Sequence, residues 1–140
     1  MPKLTRLLIS AAFALGSLPA TAATLTVEIT DISQARGTLN IALYDSEQTF
    51  RKTQARGVRV PAKADTVSVE IADLAAGHYA VLVFHDLNDN HQLDTNLLGM
   101  PKEPWGGSLQ GRTVFGTPAW KDVQFELPGA GAPILVRLND

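Results

Sequence analysis

The sequence predicts an all-β protein, an antiparallel two-sheet sandwich of about seven strands with one long ordered loop lobe. Three observations predict it. Apolar residues return at every second position in Leu25, Val27 and Ile29, in Leu39, Ile41 and Leu43, and in Val67, Val69 and Ile71, which is the period of a half-buried strand. Turn-forming residues separate these runs at short intervals, as in a sandwich. Beyond the first residues no segment carries the apolar stripe of a surface helix.

The first strand alternates Leu25, Val27 and Ile29 with Thr26, Glu28 and Thr30, and "DISQARG", ending in Gly37, connects it to the second at Leu39 to Leu43. "DSEQTFRKTQAR" offers a turn or two of helix around Phe50. A short strand follows at Val58 to Val60, and Pro61 either ends it or marks it as an edge. After Val67 to Ile71, "ADLAAG" leads into Tyr79 to Phe84, which is apolar on both faces and therefore expected at the centre of its sheet. Later strands are expected at Val123, Phe125 and Leu127 and at Ile134, Val136 and Leu138. The connection from Leu87 to Lys121 is far longer than the roughly 12 to 15 residues usual for structureless loops. It carries Trp105, Phe115 and Trp120, residues that disordered segments tend to lack, so it is expected to be ordered across one end of the sandwich.

Lys3 and Arg6, the apolar run Leu7 to Leu18 and the small residues of "PATA" have the form of a secretory signal peptide, residues 1–22, with cleavage before Ala23. Residues 23–140 then form a single β-sandwich domain, periplasmic or secreted, with no transmembrane segment of about 20 apolar residues. Losing Lys3 and Arg6 and no acidic residue takes the formal net charge from −2 to −4. This balance argues against a nucleic-acid partner, which requires a basic surface. With no cysteine, the domain has neither disulfides nor thiolate ligands and relies on its core, or on a bound ion, for stability.

The stretch "FHDLNDNHQLDTNLLGMPKEPWGG" carries the candidate site. Calcium takes six to eight oxygens, and a short loop supplies them when side chains at alternate positions turn inward. With Asp86 at position one, Asn88 stands at three, Asn90 at five, the Gln92 carbonyl at seven and Asp94 at nine. The sharp turn at position six falls on His91, a residue type that tolerates positive φ better than most. Position twelve holds Leu97 in place of a bidentate glutamate, which leaves Thr95, Asn96, water or Glu103 to complete the shell. Asp89 is expected to point outward. The plainer reading of the same residues is a series of turn caps on nearby amides.

Other groupings carry less chemistry. His78 and His85, seven positions apart on one strand, face opposite sides and lie too far apart to share an ion. His85 and His91, with Met100 as a soft ligand, approach for a copper or zinc site only if the loop folds back. His85 and Asp86 point to opposite faces of the strand, so no hydrolase triad forms from them and no catalytic residues are assigned. Arg51, Lys52, Arg56, Arg59 and Lys63 form a basic run, read as a solvated loop or a contact for an anionic surface. Trp105 beside Gly106 and Gly107 reads as a buried anchor or a sugar-stacking platform.

"ADLAAGHYAVLVFHDLNDNHQLDTNLLGMPKEPWG", with "GTLNIALYDSEQTF" before it and "FGTPAWKDVQFEL" after it, resembles the bacterial domain-of-unknown-function family 2141. The resemblance implies a small exported protein and supplies no activity. "DLAAGHYAV" is also similar to the strand-turn-strand signature of transthyretin-like and collagen-adhesin B-type sandwiches, some of which bind calcium in a similar Asp-x-Asn-x-Asp loop. The expected function is a non-enzymatic, exported β-sandwich module of the bacterial envelope, stabilised by calcium at its loop and meeting an envelope protein or glycan. The alternative is a small-ligand or glycan carrier with a pocket near Trp105 and Trp120.

Overall fold

The computed structural model describes residues 21–110 and 118–139. Most of the expected signal peptide, and Phe115 in the long connection, lie outside the described residues. Among the described residues eight strands form two sheets. They are β1 (Ala23–Ile32), β2 (Thr38–Tyr44), β3 (Arg56–Pro61), β4 (Asp65–Leu74), β5 (Gly77–Asp86), β6 (Trp105–Gly107), β7 (Phe125–Leu127) and β8 (Ala132–Arg137). One sheet has the order β4-β1-β8; the other runs β3-β2-β5-β6, with β7 also pairing β5. The all-β sandwich read from the sequence is the observed fold, and each apolar run that predicted a strand contributes to one.

The period of two explains the core. Leu25, Val27 and Ile29 of β1 and Val69 and Ile71 of β4 face Leu39, Ile41 and Leu43 of β2 and Val81 and Val83 of β5, all buried. β5 is central as expected. It pairs β2 on one side, while β6 at Leu82 to Phe84 and β7 at Gly77 to Tyr79 share its other edge. The chain crosses between sheets at Leu74 to Gly77, where the Tyr79 hydroxyl donates 2.8 Å to the Ala75 carbonyl and pins the corner.

Four details differ from expectation. β8 runs parallel to β1, from Leu25↔Ala132 to Thr30↔Arg137, so one pair in an otherwise antiparallel structure is parallel. The segment around Phe50 forms successive turns rather than helix, with Arg51 at φ 60° among them. Val123 lies in a single helical turn, α1 (Trp120–Val123), closed by Asp122, whose carboxylate accepts from the Ala119 amide at 3.0 Å. Finally, the long connection contains a strand, β6, in the glycine-rich "WGG".

Those glycines have a physical reason. A Cβ on Gly106 would stand 2.2 Å from the Arg137 carbonyl oxygen, so β6 lies against the end of β8 at a distance only glycine allows. Trp105 and Asn139 then exchange two main-chain hydrogen bonds of 3.1 Å, joining the two sheets along this edge. Ser108, fully buried, accepts from the Val81 amide at 3.0 Å and donates to the Val123 carbonyl, tying β5 to α1.

The outer face of the larger sheet is covered at both ends. Phe50 and Trp120, stacked edge-on with centroids 5.8 Å apart, cover Ala80, Leu82 and Tyr44 at one end. The loop from Leu87 to Pro104 folds over the other. Between them lies the row Arg59, Asn40, Phe84 and Trp105, set side by side by the register of β3, β2, β5 and β6.

Gly106→Ala is expected to cost about 1–3 kcal/mol, since main chain yields less readily than a side-chain tip, and to lower the melting temperature by several degrees. A thermal melt checks this. An unchanged Tm would contradict the close approach of β6 to β8.

Candidate functional site

β5 ends in two residues whose side chains part. His85 points into the sandwich, fully buried, and its Nε2 donates 2.6 Å to the Arg36 carbonyl. That bond requires a proton on Nε2, and Nδ1 is buried with no hydrogen-bond partner among the described residues. Asp86 points the other way, under the loop, and is also fully buried. A carboxylate removed from water requires donors. Here they are the amides of Asn90 at 3.2 Å and His91 at 2.8 Å.

The loop winds so that short side chains repeat this pattern. Asn88 Oδ1 accepts from the Asn90 amide at 3.1 Å, and Asn90 Oδ1 accepts from the Gln92 amide at 2.9 Å. Asp94 closes the set, receiving the side-chain amides of Asn88 at 2.7 Å and Asn90 at 2.8 Å. Asp86, Asn88, Asn90 and Asp94 therefore do come together. Gln92 joins through its amide. His91 adopts φ 66°, the sharp turn expected at that position, and its imidazole lies 3.8 Å from Asp86. Asp89 points away from the set and takes the Thr38 hydroxyl.

Glu103 has a larger role than its place in the sequence suggests. Nearly buried, it accepts from the Leu87 amide at 2.9 Å and from the Asp94 amide at 3.1 Å. One carboxylate thus clamps both ends of the oxygen-rich segment. Leu97 contributes nothing to the set and stands wholly in solvent.

These residues fit a cation in part. An amide or carboxylate oxygen has more than one lone pair, so a turn bond to an amide leaves capacity for an ion, and all the donors are the hard oxygens that calcium prefers. Among the described residues no three acidic or imidazole side chains stand close enough to hold an ion by themselves. A cation here would draw on Asn88, Asn90 and the main chain besides Asp86 and Asp94. The histidines do not gather: His78 is exposed and meets Gln124 at 3.0 Å, on the opposite face from His85.

Past Asp94 the loop forms a tip. Asn96 Oδ1 accepts from the amides of Leu98 at 2.9 Å and Met100 at 3.1 Å, and the Asn96 amide donates 2.8 Å to the Met100 carbonyl. This bonding fixes a turn whose side chains point outward: Leu97, Leu98 and Met100 are 105%, 84% and 50% exposed. Composition alone gave no sign of such a display.

A cavity of about 330 Å³ lies on the outer face of the larger sheet, in the gap between the two covered ends. Asn40, Arg59 and Phe84 line it, with Gln54 on one side and His91 on the other. Trp105 and Trp120, near which a pocket was expected, are not among its lining residues. Arg59 was read only as part of a basic run, and Asn40 and Phe84 were missed, because these residues become neighbours only through strand register.

Fold and loop together define a two-sheet β-sandwich bearing an oxygen-rich loop lobe on the outer face of one sheet. Residues 27–134 match the family described as "Uncharacterized protein conserved in bacteria (DUF2141)", and the chain belongs to that family. Comparison with curated proteins and with solved structures gives no match. Among the described residues no helix is long and apolar enough to cross a membrane.

Replacing Glu103 with Ala strands two partly buried amides and is expected to cost about 2–3 kcal/mol in urea unfolding; Gln, which keeps one good acceptor, loses about half of that. Equal stability of all three proteins would contradict the clamp.

Proposed function

We propose that the protein is an exported, non-enzymatic binding module of the bacterial envelope, whose Asp86–Asp94 loop takes calcium and thereby steadies a tip that meets a partner. The observation that carries this reading is the tip itself. Two consecutive leucines and a methionine held in solvent by a hydrogen-bonded turn bring no gain to the isolated fold, since apolar surface is stabilising when removed from water. Export is supported by the charged, apolar and small-residue order of residues 1–22. A binding rather than catalytic role is supported by the separation of His85 from Asp86 across the strand, which leaves the imidazole engaged with main chain inside the sandwich.

The test uses protein from the periplasm, where the first residue is expected at or near Ala23. Ligand binding raises stability by RT ln(1 + [L]/Kd). With a Kd of roughly 0.1–1 mM, as in extracellular sites, about 10 mM calcium adds about 1.4–2.7 kcal/mol and moves Tm up by several degrees. Magnesium does much less, because it gives up its water reluctantly. Asp94→Ala removes the shift. In parallel, a photo-crosslinking residue at Leu98 is expected to give a discrete adduct in the envelope that weakens when calcium is chelated. An identical Tm with and without calcium overturns the ion, and a Leu98 probe that reacts no more than one at exposed Lys63 overturns the tip.

A further inference from the structure

The cavity between the two covered ends of the larger sheet has the chemistry of a ligand site, and we propose that it binds a small organic carboxylate whose body lies on Phe84. This inference does not depend on the calcium reading. It begins with the register: Asn40 pairs with Arg59 on β3 and with Phe84 on β5, so cation, amide and aromatic ring form one row across the sheet. The Arg59 Nε donates 2.7 Å to Asn40 Oδ1. That bond engages Nε and, among the described residues, leaves the terminal nitrogens for another acceptor. It also turns the other half of the Asn40 amide inward: Nδ2 is buried without a hydrogen-bond partner among the described residues. A buried donor without an acceptor is unusual. Asn40 itself, beside the Arg59 cation, lines a cavity of about 330 Å³, at the small end of the range for small-molecule sites.

The walls agree with the floor. Gly57 stands where a Cβ would lie 2.2 Å from the Gln54 side-chain nitrogen, so glycine there lets the Gln54 amide fold down over β3. His91, fixed at positive φ by the loop, supplies the facing wall. Arg59 and Gln54 bring donors to the lining, and no carboxylate is among the lining side chains. An acceptor with negative charge is the complement, and the planar fork of arginine suits a carboxylate. The half-buried ring of Phe84 offers an apolar surface for the rest of the molecule.

The experiment is an NMR titration of the intact domain, observing the side-chain amide signals of Asn40 and Gln54. The probes are glucuronate and benzoate, which separate an acidic sugar from an aromatic acid, with glucose and benzyl alcohol as their neutral counterparts. Each is taken to about 20 mM, enough to reveal a millimolar Kd. At least one acid is expected to shift the Asn40 signal saturably, and its neutral counterpart to do so at least about tenfold more weakly. Arg59→Gln keeps a donor for Asn40 and should weaken that acid about tenfold, whereas Arg56→Gln, a loss of charge outside the cavity, should change it less than twofold. Absence of saturable shifts with both acids, equal binding of acid and neutral counterpart, or unchanged binding by Arg59→Gln would each overturn the proposal.

Discussion

Two buried carboxylates, Asp86 and Glu103, each satisfied by a pair of main-chain amides, hold the candidate site of this protein in place. The chain leaves the core at the end of β5 and returns at β6, on the adjoining edge of the same sheet. Between these points it has few apolar side chains facing inward and no disulfide. Burying a carboxylate is costly unless donors replace its water. Asp86 takes the amides of Asn90 and His91, and Glu103 takes those of Leu87 and Asp94. The cost of burial thus becomes a constraint on the conformation of the loop, since any other path would strand the charge.

The rest of the outer face follows from that constraint. With His91 fixed, one wall of the cavity is fixed. With Asp94 clamped and Lys102 bonded to its carbonyl at 2.7 Å, the tip projects as a short hairpin, bridged between Thr95 and Pro101. The sandwich supplies rigidity from beneath: Gly37, at φ 69°, passes so near the end of β5 that a Cβ would meet the Asp86 carbonyl at 2.1 Å. The oxygen-rich loop, the apolar tip and one wall of the cavity are therefore neighbouring consequences of one anchored segment.

The strands were legible where a side-chain period of two coincided with burial on one face, as in β1, β2 and β4. β5 was legible as central because the core covers one of its faces and the Phe50 and Trp120 cluster covers part of the other. β6 was not, because Trp-Gly-Gly has no period and its glycines answer to a distant carbonyl rather than to strand propensity. The parallel partner of β1 was equally invisible, since alternation gives the face of a strand and not its neighbour. In the site, Asp86, Asn88, Asn90 and Asp94 could be grouped because loop geometry within a few residues is local. The clamp by Glu103 and the row Arg59, Asn40 and Phe84 depend on contacts between segments far apart in the chain, and only their register reveals them.

The most direct test of the central claim is amide hydrogen exchange at four positions, Leu87, Asn90, His91 and Asp94, in the calcium-free protein. Protection by at least about a hundredfold over an unstructured peptide is predicted at all four, on the scale of local opening free energies. In Glu103→Gln, Leu87 and Asp94 should lose more protection than Asn90 and His91, whose amides bond to Asp86 and, for Asn90, also to Asn88. Exchange at peptide rates in the wild-type protein would contradict the account, because the carboxylates would not then be what holds the loop.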